Sequence, residues 1–184
     1  MPPIYKIIKA RREDISSLPA IELAAAQLLL GHAPKKVLEE TTSQNELQHA
    51  RRLGLLWLAL HEDRPVGFAH VKLIEPNAVH LQEIDVHPEH GRRGVGTKLI
   101  REVYSWGAMA RFSSITLTTF RGVTWNMPWY LRLGFEVVSP EELSPALLSI
   151  LREEKRRGLD PETRVAMRRL FRSKDRGSVH PVAV

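Results

Sequence analysis

A chain of 184 residues, 43% hydrophobic and 26% charged, is long enough to bury a substantial core and has the composition of an ordinary globular domain. It has no cysteine, which excludes disulfides and thiolate metal sites. The formal charge of +6 is unevenly placed: residues 152–176 hold ten Lys/Arg and five Asp/Glu, and the rest of the chain is nearly balanced.

Residues 4–9, rich in β-branched and aromatic side chains, predict a first strand. Asp14 or Ser16 caps a helix that runs toward Leu30 and ends near Gly31, with Pro34 beyond it. Ser43 and Glu46 form a capping box for a helix over 43–53. Three strands follow over 55–61, 66–74 and 79–86, joined by short EDRP and EPN turns that require antiparallel pairing. Val95, Leu99, Ile100, Val103, Trp106, Gly107 and Ala110 then recur at three-and-four spacing, which marks an amphipathic helix. A strand over 114–120, a short helix in TWNMPWYLRLG, a strand at FEVV, a helix over about 141–157 and a strand over 163–171 complete the pattern.

This order predicts an α/β (α+β) fold, with one mixed, mostly antiparallel sheet of about seven strands flanked by helices. Residues 1–172 read as a single domain and 173–184 as a loose tail. The basic stretch reads as a solvated helix face plus that tail. Nucleic acid is not an expected partner, because no zinc-ligand spacing or RNA-binding aromatic signature accompanies the charge. The opening MPPIYKIIKARRED lacks the apolar core of a signal peptide, and the longest greasy run, 21–30, is broken by Glu22 and Gln27. A cytoplasmic protein without a membrane partner is expected.

The informative stretch is HPEHGRRGVGTKLI, residues 87–100, where an apolar strand gives way to the amphipathic helix. Glycine weakens both element types, so its use at this junction asks for bare backbone. A glycine turn feeding a helix N-terminus exposes unpaired N–H groups, which together with the helix dipole suit a phosphate. Gly94 and Gly96 open the backbone, Arg92 and Arg93 add charge, and Thr97 and Lys98 lie in the first turn. The spacing is neither a P-loop nor G-x-G-x-x-G.

EIDVHPEHGRRGVGTKLI resembles the acetyl-CoA-binding signature of the GCN5-related N-acetyltransferases, the GNAT superfamily. That signature is Gln/Arg-x-x-Gly-x-Gly/Ala after a strand ending Val-x-Pro. Gly94 and Gly96 match its glycines, Val86 and Pro88 match the strand end, and Gly91 stands at the Gln/Arg position. NMPWYLRLGFEVV resembles the second signature, aromatic-Tyr-x-x-x-Gly-Phe, with Tyr130, Gly134 and Phe135 in register. The usual asparagine position is Val123 here, and an asparagine occurs instead at Asn126. The resemblance implies a GNAT-like fold, with the helix near 141–157 as an addition between the last two strands. It also implies acetyl-CoA as co-substrate, without a metal. Coenzyme A contacts are then expected from Ile84, Val86, His87, Gly91, Arg92, Arg93, Gly94, Val95, Gly96, Thr97, Asn126 and Tyr130.

Acetyl transfer to an amine sets three demands. Deprotonating an alkylammonium at pH 7 costs about 4–5 kcal/mol, so a base must receive its proton. The thioester carbonyl needs a donor as it becomes tetrahedral, expected from a backbone N–H near Val86. The leaving thiolate gains from a nearby acid. Strand alternation projects Glu83, Asp85 and His87 to one face and Ile84 and Val86 to the other. Glu83 is the expected general base, His80 its rival, and Asp85 and His70 further candidates beside a water-mediated route. Tyr130 is the expected general acid, against a plain core role. Trp125 and Trp129 either wall the substrate pocket or pack the helix. The expected partner is a small-molecule or peptide amine, with a homodimer as a family-level expectation. The alternative reading is a catalytically silent acyl-CoA-binding or regulatory module on the same fold.

Overall fold

The computed structural model describes residues 3–74 and 76–171, built around a seven-stranded sheet. The strands are β1 (Lys6–Lys9), β2 (Leu56–His61), β3 (Arg64–Ile74), β4 (Ala78–Val86), β5 (Ser114–Phe120), β6 (Glu136–Val137) and β7 (Arg164–Leu170). Their order across the sheet is β1-β2-β3-β4-β5-β7-β6. Only β4 and β5 run parallel, and every other neighbouring pair is antiparallel. The helices are α1 (Leu18–Ala26), α2 (Lys35–Leu38), α3 (Gln44–Arg52), α4 (Val95–Met109), α5 (Met127–Arg132) and α6 (Pro145–Arg156).

The apolar stripe of α4 buries Val95, Leu99, Ile100 and Val103 completely against one face of the sheet. On that face Trp57 of β2 meets Trp106 of α4 edge to face, with ring centroids 5.2 Å apart. The opposite face is covered by α1 and α3. Ser43 Oγ accepts the Glu46 N–H at 3.2 Å as a cap, while the Glu46 carboxylate reaches Lys72 of β3 at 2.8 Å. Among the described residues, no helix is long and apolar enough to cross a membrane.

Two details of the sheet position the site. Pairing of β4 with β5 runs from Ala78–Ser114 to Leu81–Leu117 and stops, so the remainder of β4 has no partner on that side. At the same point β4 carries a bulge. Val71 pairs with Leu81 and His70 with Glu83, which leaves Gln82 as an extra residue.

Several elements differ from the sequence expectation. The helix expected to run to Leu30 is a 3-10 turn at Arg12–Ser17, then α1, then a second 3-10 turn at Gln27–Leu29. Asp14 does not cap α1, because its carboxylate is engaged by Arg11 at 2.6 Å; α1 starts beside Pro19, which favours a first-turn position. The four residues of α2 had no periodicity long enough to register. The FEVV strand shrinks to Glu136–Val137, because Phe135 turns into the core at 1% exposure. The tail expected at 173–184 lies outside the described residues.

Among the described residues, four arginines of the basic stretch are paired within the fold. Arg156 pairs with Glu153, Arg157 with Glu40, Arg164 with Glu154 and Arg168 with Glu142, and Arg169 stacks on Tyr104. The pair of Arg164 with Glu154, 2.8 Å apart, is almost wholly enclosed and also engages Thr118, whose hydroxyl donates to Glu154 at 2.5 Å. It ties α6 to β5 and β7. Removing one partner strands a buried charge, whereas removing both does not. Glu154→Leu is therefore expected to cost roughly 3 kcal/mol in urea denaturation, and the double variant with Arg164→Met clearly less than the sum of the single changes.

Candidate active site

After β4 the chain makes a 3-10 turn at Pro88–His90 and reaches Gly91. Gly94 caps α4 with φ +77°, a conformation that side chains with a Cβ resist. The first helical bond of α4 is from Lys98 N–H to the Gly94 carbonyl at 3.0 Å, so the amides of Val95, Gly96 and Thr97 have no acceptor in the helix. Arg92, Arg93 and Gly94 are exposed, and Val95 is buried. Gly96 has a packing role as well: a Cβ there would stand 3.1 Å from the Trp129 ring. The Trp129 indole N–H donates to Thr97 Oγ1 at 3.4 Å, and its ring lies 4.7 Å from that of Tyr130. Trp129 thus locks α5 onto the start of α4, while Trp125 is half exposed.

Arg93 donates to the Tyr5 hydroxyl at 3.5 Å, and that hydroxyl meets His90 Nδ1 at 3.0 Å. The His61 ring packs at a tilt against that of His90, with centroids 5.1 Å apart. Burial, then the neighbouring His61, Arg93 and His87, lower the His90 pKa. His87 Nδ1 accepts the Glu89 N–H at 3.4 Å.

The bulge at Gln82 decides which side chains of β4 share a face. Phe68, His70 and Lys72 alternate onto one face of β3, and their partners across the ladder are Asp85, Glu83 and His80. Strand alternation alone separates His80 from Glu83, and the extra residue brings them to the same side. His80 is nevertheless only 2% exposed, with Nδ1 3.0 Å from Thr116 Oγ1. The Thr116 hydroxyl donates to the Val79 carbonyl, so the ring N–H is the donor to Thr116. Burial pushes the His80 pKa down to about 4, and that of His70 likewise to about 4. Ile84 and Val86 pack toward the α4 side. His87 N–H bonds to the Val66 carbonyl at 2.8 Å, so by antiparallel alternation the amides of Ile84 and Val86 point to the side that β5 has left.

Glu22 of α1 joins Glu83 and Asp85, one oxygen of each lying within 4.8 Å of the others. Glu22 is held by Thr42, whose N–H reaches its two oxygens at 2.9 and 3.0 Å and whose hydroxyl donates at 3.1 Å. Burial raises the Glu22 pKa. Burial and then the charge of Glu22 push Glu83 up to about 7, against weaker pulls from the Ile84 amide, Arg157 and Arg164. Asp85 is raised well above its ordinary value, again by burial first and then by Glu83 and Glu22. Tyr130, 6% exposed, feels Glu83 and Asp85, and burial with those charges raises its phenol further from ionisation.

Three residues of this site are not legible in the sequence: Glu22 and Thr42, which carry no local signal, and Gly67. A Cβ at Gly67 would stand 2.7 Å from the Asp85 carbonyl, so only glycine lets β3 approach β4 there. Asn126 sits at the start of α5 without a side-chain capping bond, and Val123, at the position of the signature asparagine, is core at 1% exposure.

A mixed sheet opened between its two parallel strands, with a glycine-capped helix N-terminus at the opening, defines the acyl-CoA N-acyltransferase architecture. The chain belongs to the Acetyltransferase (GNAT) family, whose profile matches residues 22–135. Among solved structures, the chain is similar to the PaiA N-acetyltransferase from Thermoplasma acidophilum in complex with coenzyme A. The TM-score is 0.73 at 17% identity, over 91% of this chain and 99% of that one. N-acetylglutamate synthase from Neisseria gonorrhoeae, complexed with coenzyme A and N-acetyl-glutamate, gives a TM-score of 0.68 at 16% identity, covering 92% of this chain and 35% of that one. The ribosomal-protein-S18-alanine N-acetyltransferase from Escherichia coli gives 0.63 at 14% identity, covering 91% and 94%. At these identities the likeness establishes the fold.

The raised Glu83 pKa carries a stability consequence. Between the ordinary 4.5 and about 7 the folded state keeps a proton that the unfolded chain has released. The stability from this group is complete below 4.5 and is lost as pH rises through about 7. Glu83→Gln, which cannot ionise, is expected to be more stable than the parent at pH 8, with the gap narrowing toward pH 5 in urea denaturation.

Proposed function

We propose that the protein transfers the acetyl group of acetyl-CoA to an amine, with Glu83 as general base and Tyr130 as general acid. The observation that carries this reading is the position of Glu83 on β4 beyond the last β4–β5 pair, with Tyr130 close enough to feel its charge. Acetyl-CoA supplies an activated thioester. The residues present fit it: three helix-start amides without partners, exposed Arg92, a left-handed Gly94 and the Val86 amide, which points to the side that β5 has left. Gly91, Arg92, Arg93, Gly94, Val95, Gly96 and Thr97 would hold the diphosphate. His87 and Asn126 would border the bound molecule.

The chemistry follows from the residues. Glu83, poised near pH 7, takes the proton from the acceptor ammonium at a cost far below that of releasing it to water. The freed nitrogen lone pair forms the new bond to the acyl carbon, and the amide of Val86 donates to the oxygen that becomes negative. As the carbon–sulfur bond breaks, Tyr130 Oη gives its proton to the sulfur, and the second proton shed by the new amide nitrogen restores the phenol. Its raised pKa keeps that proton available at neutral pH. His80 lies outside this path, because it is buried and committed to Thr116.

With saturating acetyl-CoA and a panel of amines, kcat/KM is expected to rise with pH through an acid limb near 7, the pKa of Glu83. Glu83→Gln is expected to abolish that limb and lower kcat/KM about 100-fold or more, and Tyr130→Phe to lower kcat by a similar factor. His80→Gln is expected to retain the acid limb. Release of coenzyme A thiol is the readout, and a profile flat across pH 6–8 in the parent protein overturns the base assignment.

A further inference from the structure

We infer that the cleft between the 3-10 turn at Arg12–Ser17 and the outer face of α3 is a binding site for a small, non-aromatic polyanion, one that carries two or more phosphate or carboxylate groups. The site is separate from the candidate active site and does not depend on the acetyltransferase reading.

The cleft has a volume of about 500 Å³ and is lined by Arg12, Asn45, Gln48, Arg51 and Arg52. That volume suits a small molecule. Leu47 and Ala50 of α3 are buried toward the sheet, while Asn45, Gln48 and Arg52 recur at three-and-four spacing on the side turned away from it. α3 packs on β2 and β3, whereas Glu83 and Asp85 lie on β4 beside Glu22 of α1. A ligand in the cleft therefore shares no side chain with acetyl transfer.

Three guanidinium groups meet here without a counter-charge. No acidic residue lines the cleft. Among the described residues, Arg12, Arg51 and Arg52 form no salt bridge. The acids of the same two elements are engaged elsewhere: Glu13 and Asp14 by Arg11 at 3.6 and 2.6 Å, and Glu46 by Lys72 at 2.8 Å. The negative end of α3 accounts for Arg51 and Arg52, which stand in its last turn. It does not account for Arg12, which arrives from a different element. Like charges gathered in this way repel one another, and an anion between them removes that cost.

The donors are also aimed. Arg51, half-buried, gives its Nε–H to Gln48 Oε1 at 3.0 Å. This bond fixes the guanidinium plane, and among the described residues its two terminal nitrogens have no acceptor. A guanidinium held in one plane presents paired N–H groups that match two oxygens of a phosphate or carboxylate. The side-chain amides of Asn45 and Gln48 add neutral donors. The lining has no aromatic ring on which a nucleobase could stack and no apolar side chain to hold an acyl chain. What fits is a compact, hydrophilic anion with more than one charged group.

The test titrates the full-length protein, saturated with coenzyme A, against sodium pyrophosphate, citrate and acetate at about 0.15 M NaCl, by calorimetry and protein-observed NMR. The expected result is saturable 1:1 binding of pyrophosphate or citrate with a Kd below about 1 mM, and none of acetate. The tighter of the two polyanions tells phosphate from carboxylate. Binding is expected to shift the Arg51 Nε–H signal and the backbone amides over 45–52. Arg12→Gln and Arg52→Gln change exposed positions and leave the core intact, and each is expected to weaken binding about 10-fold. Absence of saturable binding by either polyanion, equal binding of acetate, shifts confined to residues 91–97, or unchanged affinity in the folded double variant overturns the site. So does an RNA of about 20 nucleotides that binds through Arg12 and Arg52 and is displaced by neither polyanion.

Discussion

Everything distinctive in this protein follows from the early end of one strand pair. β4 and β5 share only four residues of parallel ladder before they separate. Backbone groups past that point have lost their partner on one side, and buried backbone groups of this kind are normally satisfied. A sheet tolerates such an opening where something else supplies the hydrogen bonds. The free amides at the start of α4 lie beside the same gap, so the fold gathers unused donors in one place. The loop geometry that exposes them is held by Gly94, and Trp129 braces it from α5.

The second expense is electrostatic. Three carboxylates close together and partly enclosed are a poor choice for stability, because burial and mutual repulsion both oppose ionisation. The same cost makes Glu83 titrate near 7 rather than 4.5, the range in which a base works at neutral pH. Strain of this kind persists when the surroundings over-determine it. Here Thr42 fixes Glu22, the bulge at Gln82 fixes the facing of Glu83, and Gly67 permits the close approach of β3 to Asp85.

The parts legible in the sequence are those governed by local rules. The spacing along α4, the Ser43 cap and the glycine turn before α4 all depend on residues within a turn or two of each other. The strands are legible from residue patterns, and the antiparallel pairing of β2, β3 and β4 from their short turns. The unreadable parts depend on distance along the chain or on one irregularity. Glu22 meets Glu83 only because α1 crosses β4, and no spacing encodes that meeting. Gln82 shifts the parity of β4, so His80 shares the face of Glu83 although a regular strand separates them. Gly96 attracted notice for phosphate approach, while its closest constraint is the Trp129 ring. Val123 sits at the signature asparagine position as a core residue packed with Phe120 and Leu159.

The order β5-β7-β6 has a consequence for synthesis. β7 is the last strand in chain order among the described residues, yet it takes an interior place and bonds to β5 on one side and β6 on the other. A nascent chain that has emerged only through β6 therefore leaves the outer edge of β5 bare, and β6 has no strand to pair with. Open edges of this kind invite pairing with other chains. That edge is covered only when residues 164–170 leave the ribosome, so β7 and β6 join the sheet together.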